Sequence, residues 1–416
     1  MAEMGQMTSR FPWRMAGIFL LGLYVLAGGV YSLVLKPETH FSDEREYLAL
    51  GTHLVQGPGY SLDGVHLTAS RPPGYPFFIA MIKAAGGDIL AIRLVQFLLV
   101  GGTLLLLVRL VPGGGEARLL MVTGLAMIYP VIFYLSGTLY AQTFAGFLFV
   151  LALVLMLIVK RSLLLDLATG LVFGELILAV PTFALTLIVV LAVAWILKLI
   201  RWNNGLLILV GASVLIGIWT VRNMAQFHQL VPLASNSGAN LLIGNCENTT
   251  PSGGSGNVDR TRYRQEAEEK FAGQPPEQFE FSADRFYREA AITWIRNNPG
   301  RAFVLYLEKT ANYFSVYNQY APESQGEVSA WKQMAMGCSY VVLLALLAWR
   351  LCEMKRFPLD RREIFFLLVY VLSAFTMALF FTRIRFRIPF DYLIIAIIAG
   401  HLARRLDLWR GATKSI

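Results

Sequence analysis

The sequence predicts an all-α polytopic membrane protein, on three observations. Of its 416 residues, 56% are hydrophobic and only 15% charged, and the mean hydropathy is +0.55, well above a soluble domain. The apolar residues fall in long runs, and runs of roughly 18 or more cross a bilayer as helix. Lys and Arg gather at the ends of these runs, where they set topology. A membrane β-barrel would show short alternating segments instead. The formal net charge of +9 is therefore read as topology determinants, and no nucleic-acid partner is expected. Cys246, Cys338 and Cys352 have no metal or redox spacing, so neither a disulfide nor a metal site is expected.

The first span runs from about Met15 to Leu35 and carries no convincing cleavage site, so it is expected to be retained. Arg10 and Arg14 precede it and place the N-terminus in the cytoplasm. The loop 36–88 is then outside. Within it, Asp43 to Gln56 reads as an amphipathic helix with Ser42 as N-cap. Gly74 to Ala85 is apolar but rises only roughly 20 Å, against a hydrocarbon core of about 30 Å. It reads as a wedge in the outer leaflet.

Spans then alternate: Ile89–Val111 inward, Leu119–Leu135 outward, Leu139–Val159 inward, Leu163–Ala179 outward, Thr182–Leu197 inward and Leu206–Val221 outward. With the wedge uncounted, Lys160 and Arg161, then Lys198 and Arg201, all land inside. A long polar region, 222–335, follows outside. Ser235–Asn257 reads as loop, Arg260–Phe271 as helix-prone, and Ser282–Asn297 as a helix capped by Ser282. Asn298-Pro299-Gly300 breaks it, and Arg301–Phe314 reads as a helix on the membrane surface. Met336–Leu351, Ile364–Phe381 and Ile388–Leu402 complete about ten spans with both termini inside. The chain thus divides into a transmembrane module (1–221), an outer region (222–335) and C-terminal helices (336–416).

Chemistry is expected in the first outer loop. Asp43 beside a helix start should stay ionised and able to accept a proton. Glu44 adjoins it as a second candidate catalytic group; metal ligation is the other reading for this pair, but the outer loops offer no second acidic pair. Glu46 reads as solvated charge. Arg71, held by Pro72 and Pro73 above the wedge, suits a phosphate. Arg383, Arg385 and Arg387 place three arginines in five residues on the outer side, where topology does not ask for them. That cluster suits a phosphate or a lipid headgroup. Tyr47, Tyr75, Gln142, Arg222 and the intramembrane Glu175 are candidate substrate contacts. His53 and His66 have no ligand partner at useful spacing. Asn248-Thr249-Thr250 is a glycosylation acceptor pattern that often arises by chance.

Several motifs in order resemble the GT-C glycosyltransferases of the protein O-mannosyltransferase and aminoarabinose-transferase type. They are Ser42-Asp43-Glu44 with Tyr47 and Ala49, Gly57-Pro58-Gly59-Tyr60, and Arg71-Pro72-Pro73-Gly74-Tyr75-Pro76. Trp219-Thr220-Val221-Arg222-Asn223 with Pro232-Leu233-Ala234-Ser235 and Gly238-Ala239-Asn240-Leu241 follow, then Arg385-Phe386-Arg387-Ile388-Pro389. The resemblance implies a GT-C-type bundle in the cytoplasmic membrane, active at its outer face. It implies inverting transfer of a sugar from a polyprenyl-phosphate donor to a hydroxyl of a glycan, lipid or protein acceptor, without a cofactor. Asp43 would be the general base, and Arg71 with Arg385 and Arg387 would hold the lipid phosphate. The chain departs from the family pattern at Ala141-Gln142-Thr143, where a Ser-Glu-Thr is common, and at Ala179-Val180-Pro181, where a Thr-Arg-Pro is common. Rival readings are a lipid or glycan transporter (a flippase) and a non-catalytic accessory protein of envelope polysaccharide assembly.

Overall fold

A backbone in hydrocarbon must satisfy its own hydrogen bonds, which favours helix throughout. A computed structural model describes residues 13–113, 115–253, 262–321 and 328–413, so expectations for Arg10 and Arg260 lie outside the described residues. Every regular element within them is an α-helix, apart from one isolated bridge between Ser61 and Leu67. In the first half these are α1 (Trp13–Val34), α2 (Ser42–Gln56), α3 (Gly74–Ala84), α4 (Ile89–Leu110), α5 (Arg118–Ile128) and α6 (Pro130–Ser136). They are followed by α7 (Gln142–Leu157), α8 (Leu163–Ala179), α9 (Phe183–Ile196) and α10 (Trp202–Phe227). The outer region folds as α11 (Ser237–Gly244), α12 (Arg262–Lys270), α13 (Pro276–Asn297) and α14 (Pro299–Tyr313). α15 (Ala330–Cys352), α16 (Arg361–Met377) and α17 (Ile384–Thr413) complete the chain.

Each of the expected spans is helical. Among the described residues, α1, α4, α10, α15 and α17 are long and apolar enough to cross a membrane, and α5 with α6 makes a sixth if counted as one span. That pair is bent by 75°. The break falls at Pro130, which has no N–H for the helix ladder. α7, α8, α9 and α16 are shorter, at 16, 17, 14 and 17 residues, or about 21–26 Å of helix. α3 has 11 residues, about 16 Å, too short to span.

Burial grades the helices. In α17, 89% of the apolar window is buried, against 22% in α1 and 28% in α10. α17 therefore runs through the centre, and the exposed Leu, Ile and Phe side chains of α1 face lipid. α8 and α10 pack backbone to backbone. A Cβ on Gly170 would meet Ile208 O at 2.3 Å, and one on Gly211 would meet Leu167 O at 2.3 Å. Small residues at a membrane interface let two backbones approach this closely.

Three local expectations are corrected. α2 begins at Ser42 with Phe41 at the N-cap, and the cap is supplied by Glu44, which accepts from the amides of His40 and Phe41. α13 begins at Pro276, before Ser282, because proline suits a first helical turn. The stretch from Ser235 contains helix α11 rather than only loop. Its first amides, at Gly238 and Ala239, donate to Asp284 Oδ1 at 2.6 and 3.2 Å. That cap comes from α13, so the local sequence does not display it.

Candidate active site

Asp43 lies in the first turn of α2 and is 5% exposed. Arg71 reaches it from the segment before α3. Tyr60 fixes that segment by donating its hydroxyl to Arg71 O at 2.8 Å and Pro72 O at 3.1 Å. Two motifs of the first outer loop are thereby joined. Arg71 Nη2 donates to Asp43 Oδ1 at 2.7 Å, and Nε donates to Glu46 Oε2 at 2.6 Å. Asp43 and Glu46 stand three residues apart on one helix face, so a single guanidinium spans both.

The other oxygen of Asp43 belongs to the far end of the chain. Arg385, in the first turn of α17, donates from Nη2 to Asp43 Oδ2 at 3.1 Å. Its guanidinium carbon lies 4.1 Å from the centre of the Tyr140 ring, within cation–π range. Burial alone would raise the Asp43 pKa, but the charges of Arg71 and Arg385 outweigh it and the carboxyl titrates below its usual range. Glu46 was expected to be solvated; it instead pairs with Arg71 while keeping 39% of its side chain exposed.

The remaining candidates separate by position. Glu44 is fully buried, with Oε2 taking the Phe41 amide at 3.1 Å and Oε1 the Leu139 amide at 2.8 Å. Both oxygens are occupied by backbone, which ties the first loop to the start of α7. Arg383 donates to Ser252 O at 2.9 Å and Gly253 O at 3.3 Å, toward the outer region. Arg387 faces inward. It pairs with Asp391 at 3.2 Å, donates to Tyr313 O at 2.8 Å, and lies 3.4 Å from the centre of the Tyr340 ring. Asp391 also accepts from Tyr129 at 2.7 Å and Tyr370 at 3.2 Å. Of the four arginines expected at a phosphate, Arg71 and Arg385 hydrogen-bond Asp43, and the charge of Arg383 also helps to lower its pKa.

Tyr47 receives Arg71 over its ring at 5.7 Å and meets Tyr75 edge-on at 5.2 Å. Tyr75 is fully buried and donates to Gln96 Oε1 at 2.7 Å. Arg222 lies over Trp219 at 4.9 Å and donates to Thr68 O at 2.9 Å, clamping the first loop to α10. Gln142 begins α7, and its buried Oε1 has no hydrogen-bond partner among the described residues. Glu175 is half-buried in α8 without an ion pair among the described residues.

Sequence reasoning missed several residues that build the site. Tyr140 forms its aromatic wall, and its hydroxyl is buried without a partner among the described residues. Glu280 of α13 accepts from Thr68, Ser235 and, at 3.0 Å, the Ala69 amide. It holds the segment leading to Arg71 from the outer region. Lys309 of α14 is buried and donates to Gly244 O, Asn245 Oδ1 and Phe380 O at 3.0, 3.1 and 3.0 Å. A lysine in an amphipathic helix reads as solvated, so nothing in the local pattern marked it. Among the described residues, no three His, Cys, Asp or Glu side chains form a group able to hold a metal.

Two crystal structures of ArnT from Cupriavidus metallidurans match, each covering 93% of this chain and 77% of the other. The structure bound to undecaprenyl phosphate aligns with a TM-score of 0.39 at 14% identity, and the apo structure with 0.37 at 15%. No family model matches the chain, and no curated protein matches it in sequence.

Proposed function

We propose that the protein is a membrane glycosyltransferase that moves a sugar from a polyprenyl-phosphate donor to an acceptor hydroxyl. The observation that carries this reading is Asp43 held between Arg71 and Arg385. A carboxylate and two guanidiniums at one buried point offer a proton acceptor and a phosphate clamp together. The ordered motifs of the sequence support the same chemistry.

In the described state Asp43 shares its two oxygens between the two arginines. A donor phosphate competes for those guanidiniums, since arginine pairs well with phosphate oxygens. As Arg71 and Arg385 turn to the phosphate, Asp43 loses its countercharges and becomes a stronger base. The acceptor oxygen then attacks the anomeric carbon, and its proton passes to a carboxylate oxygen of Asp43. The bond between that carbon and the phosphate oxygen breaks with its electron pair leaving on the phosphate. The arginines stabilise the growing charge, a preorganised electrostatic role. One displacement inverts the centre, and Asp43 returns its proton to solvent. Glu44 and Arg387 take structural parts in this reading.

The test is incubation of the purified chain with polyprenyl-phosphate pentoses and hexoses, measuring release of polyprenyl phosphate, beside Asp43→Asn. Donor-dependent release that falls by about 10²-fold or more in the variant supports the reading, the usual size of a general-base contribution. Wild-type turnover in Asp43→Asn would remove Asp43 as the base.

A further inference from the structure

At the end of the bundle away from Asp43, the starts of α8 and α10 and the end of α9 border an open cavity of about 1130 Å³. It is separated from the Asp43 site by the 17 residues of α8, about 25 Å of helix. Arg161, Lys198 and Arg201 line it, with Asp166 as the single acid. Topology explains why basic residues lie at this end. It does not explain their convergence on a cavity.

The floor is built. Asp166 is 2% exposed, accepts from Arg161, and also accepts from Asn204 Nδ2 at 2.6 Å, which ties α8 to α10. Arg161 further donates to Met156 O, and its buried Nε has no hydrogen-bond partner among the described residues. Asp166 thus fixes one cation, leaving the charges of Lys198 and Arg201 in excess. The N-termini of α8 and α10 add partial positive charge at the same place.

The rim is suited to lipid. Trp195 and Trp202 line the cavity and are 57% and 71% exposed. Exposed tryptophan favours the headgroup level of a bilayer. Leu164 and Leu206, 76% and 51% exposed, continue the surface in apolar form, where acyl chains would lie. Free phosphate would need the cations but neither the tryptophans nor the apolar flank.

We propose that this cavity binds the phosphate headgroup of an anionic phospholipid in the leaflet opposite Asp43. The site is independent of the glycosyltransferase reading, and its test needs no turnover. The full chain, in a neutral detergent, is titrated with phosphatidylglycerol, phosphatidylcholine and inorganic phosphate. Bound lipid is counted by native mass spectrometry. Phosphatidylglycerol should be retained at concentrations at least fivefold below phosphatidylcholine, and Arg201→Gln should weaken it about fivefold, the scale of one basic residue near an anionic lipid.

Lys198→Gly is the decisive variant. Lys198 has φ +57°, where glycine is at ease, so this variant removes the charge without forcing a new backbone shape. It should also bind about fivefold more weakly. Equal retention of the two lipids, or unchanged binding in both variants, would overturn the site. Displacement of phosphatidylglycerol by an equal concentration of inorganic phosphate would overturn the lipid assignment.

Discussion

Arg385 donates from Nη2 to Asp43 Oδ2 at 3.1 Å across 342 positions of sequence. This one bond joins the last helix to the first outer loop. With Arg71 on Oδ1, it leaves the buried carboxylate balanced between two cations. Removing one partner of such a pair leaves an uncompensated buried charge.

Under the proposed function, the pH dependence of activity follows from that balance. Burial pushes the Asp43 pKa up, but Arg71 and Arg385 pull it further down, so the net shift is downward. Its stability contribution is therefore fully present above the unfolded value, about 4, and lost as pH falls through the lower folded value. The acid limb of kcat/KM should lie below pH of about 4, with no limb from Asp43 between neutrality and that point. Arg385→Gln should move the limb upward. A pH–rate profile of both proteins checks this, and an unmoved limb would detach Arg385 from the base.

Asp43 and Glu44 are neighbours with opposite expected phenotypes. Glu44 accepts backbone amides from Phe41 and Leu139. Glu44→Gln places an amide where acceptors are needed and should cost about 1–3 kcal/mol of stability. Turnover per folded molecule should change less than about tenfold, short of a general-base loss. Asp43→Asn should show the reverse. Thermal unfolding and turnover measured on both variants separate the two roles.

Lys309 links three elements through Gly244, Asn245 and Phe380. Lys309→Met strands those acceptors and should destabilise the outer region by about 2–3 kcal/mol. Burial pushes the ammonium pKa down to about 8, below the unfolded value of about 10.4. The folded chain therefore gives up this proton first. The burial penalty is present in full below pH 8 and is relieved as pH rises toward the unfolded value. Across that window the wild type should gain stability relative to Lys309→Met. A constant difference between their unfolding curves would contradict the assignment.

The α8–α10 contact depends on missing side chains. A Cβ on Gly211 would meet Leu167 O at 2.3 Å, whereas one on Gly217 meets nothing within 4 Å. Gly211→Val should lower the melting temperature strongly, with loss of folded monodisperse protein in detergent. Gly217→Ala should be neutral or stabilising by up to about 1 kcal/mol, since alanine is the better helix former. Size-exclusion profiles of the pair decide between a packing role and general glycine sensitivity.

The sequence by itself determined the helical membrane class and the position of nearly every long helix. It also determined the outer loop where Asp43 and Arg71 lie. The reason is local: apolar run length, flanking charge and proline act within a few residues. Tertiary structure alone decided which arginine serves which partner. Arg383, Arg385 and Arg387 share one short stretch, yet they reach the outer region, Asp43 and Asp391 respectively. Ser42 and Ser282 misled because Glu44 caps α2 from within its own first turn and Pro276 starts α13 earlier. The Ser235 stretch misled because its cap, from Asp284, comes through a folded contact. Lys309 was invisible because burial of a single cation depends on carbonyls from remote segments. Periodicity reports which face is apolar, and only packing reports which acceptor waits there.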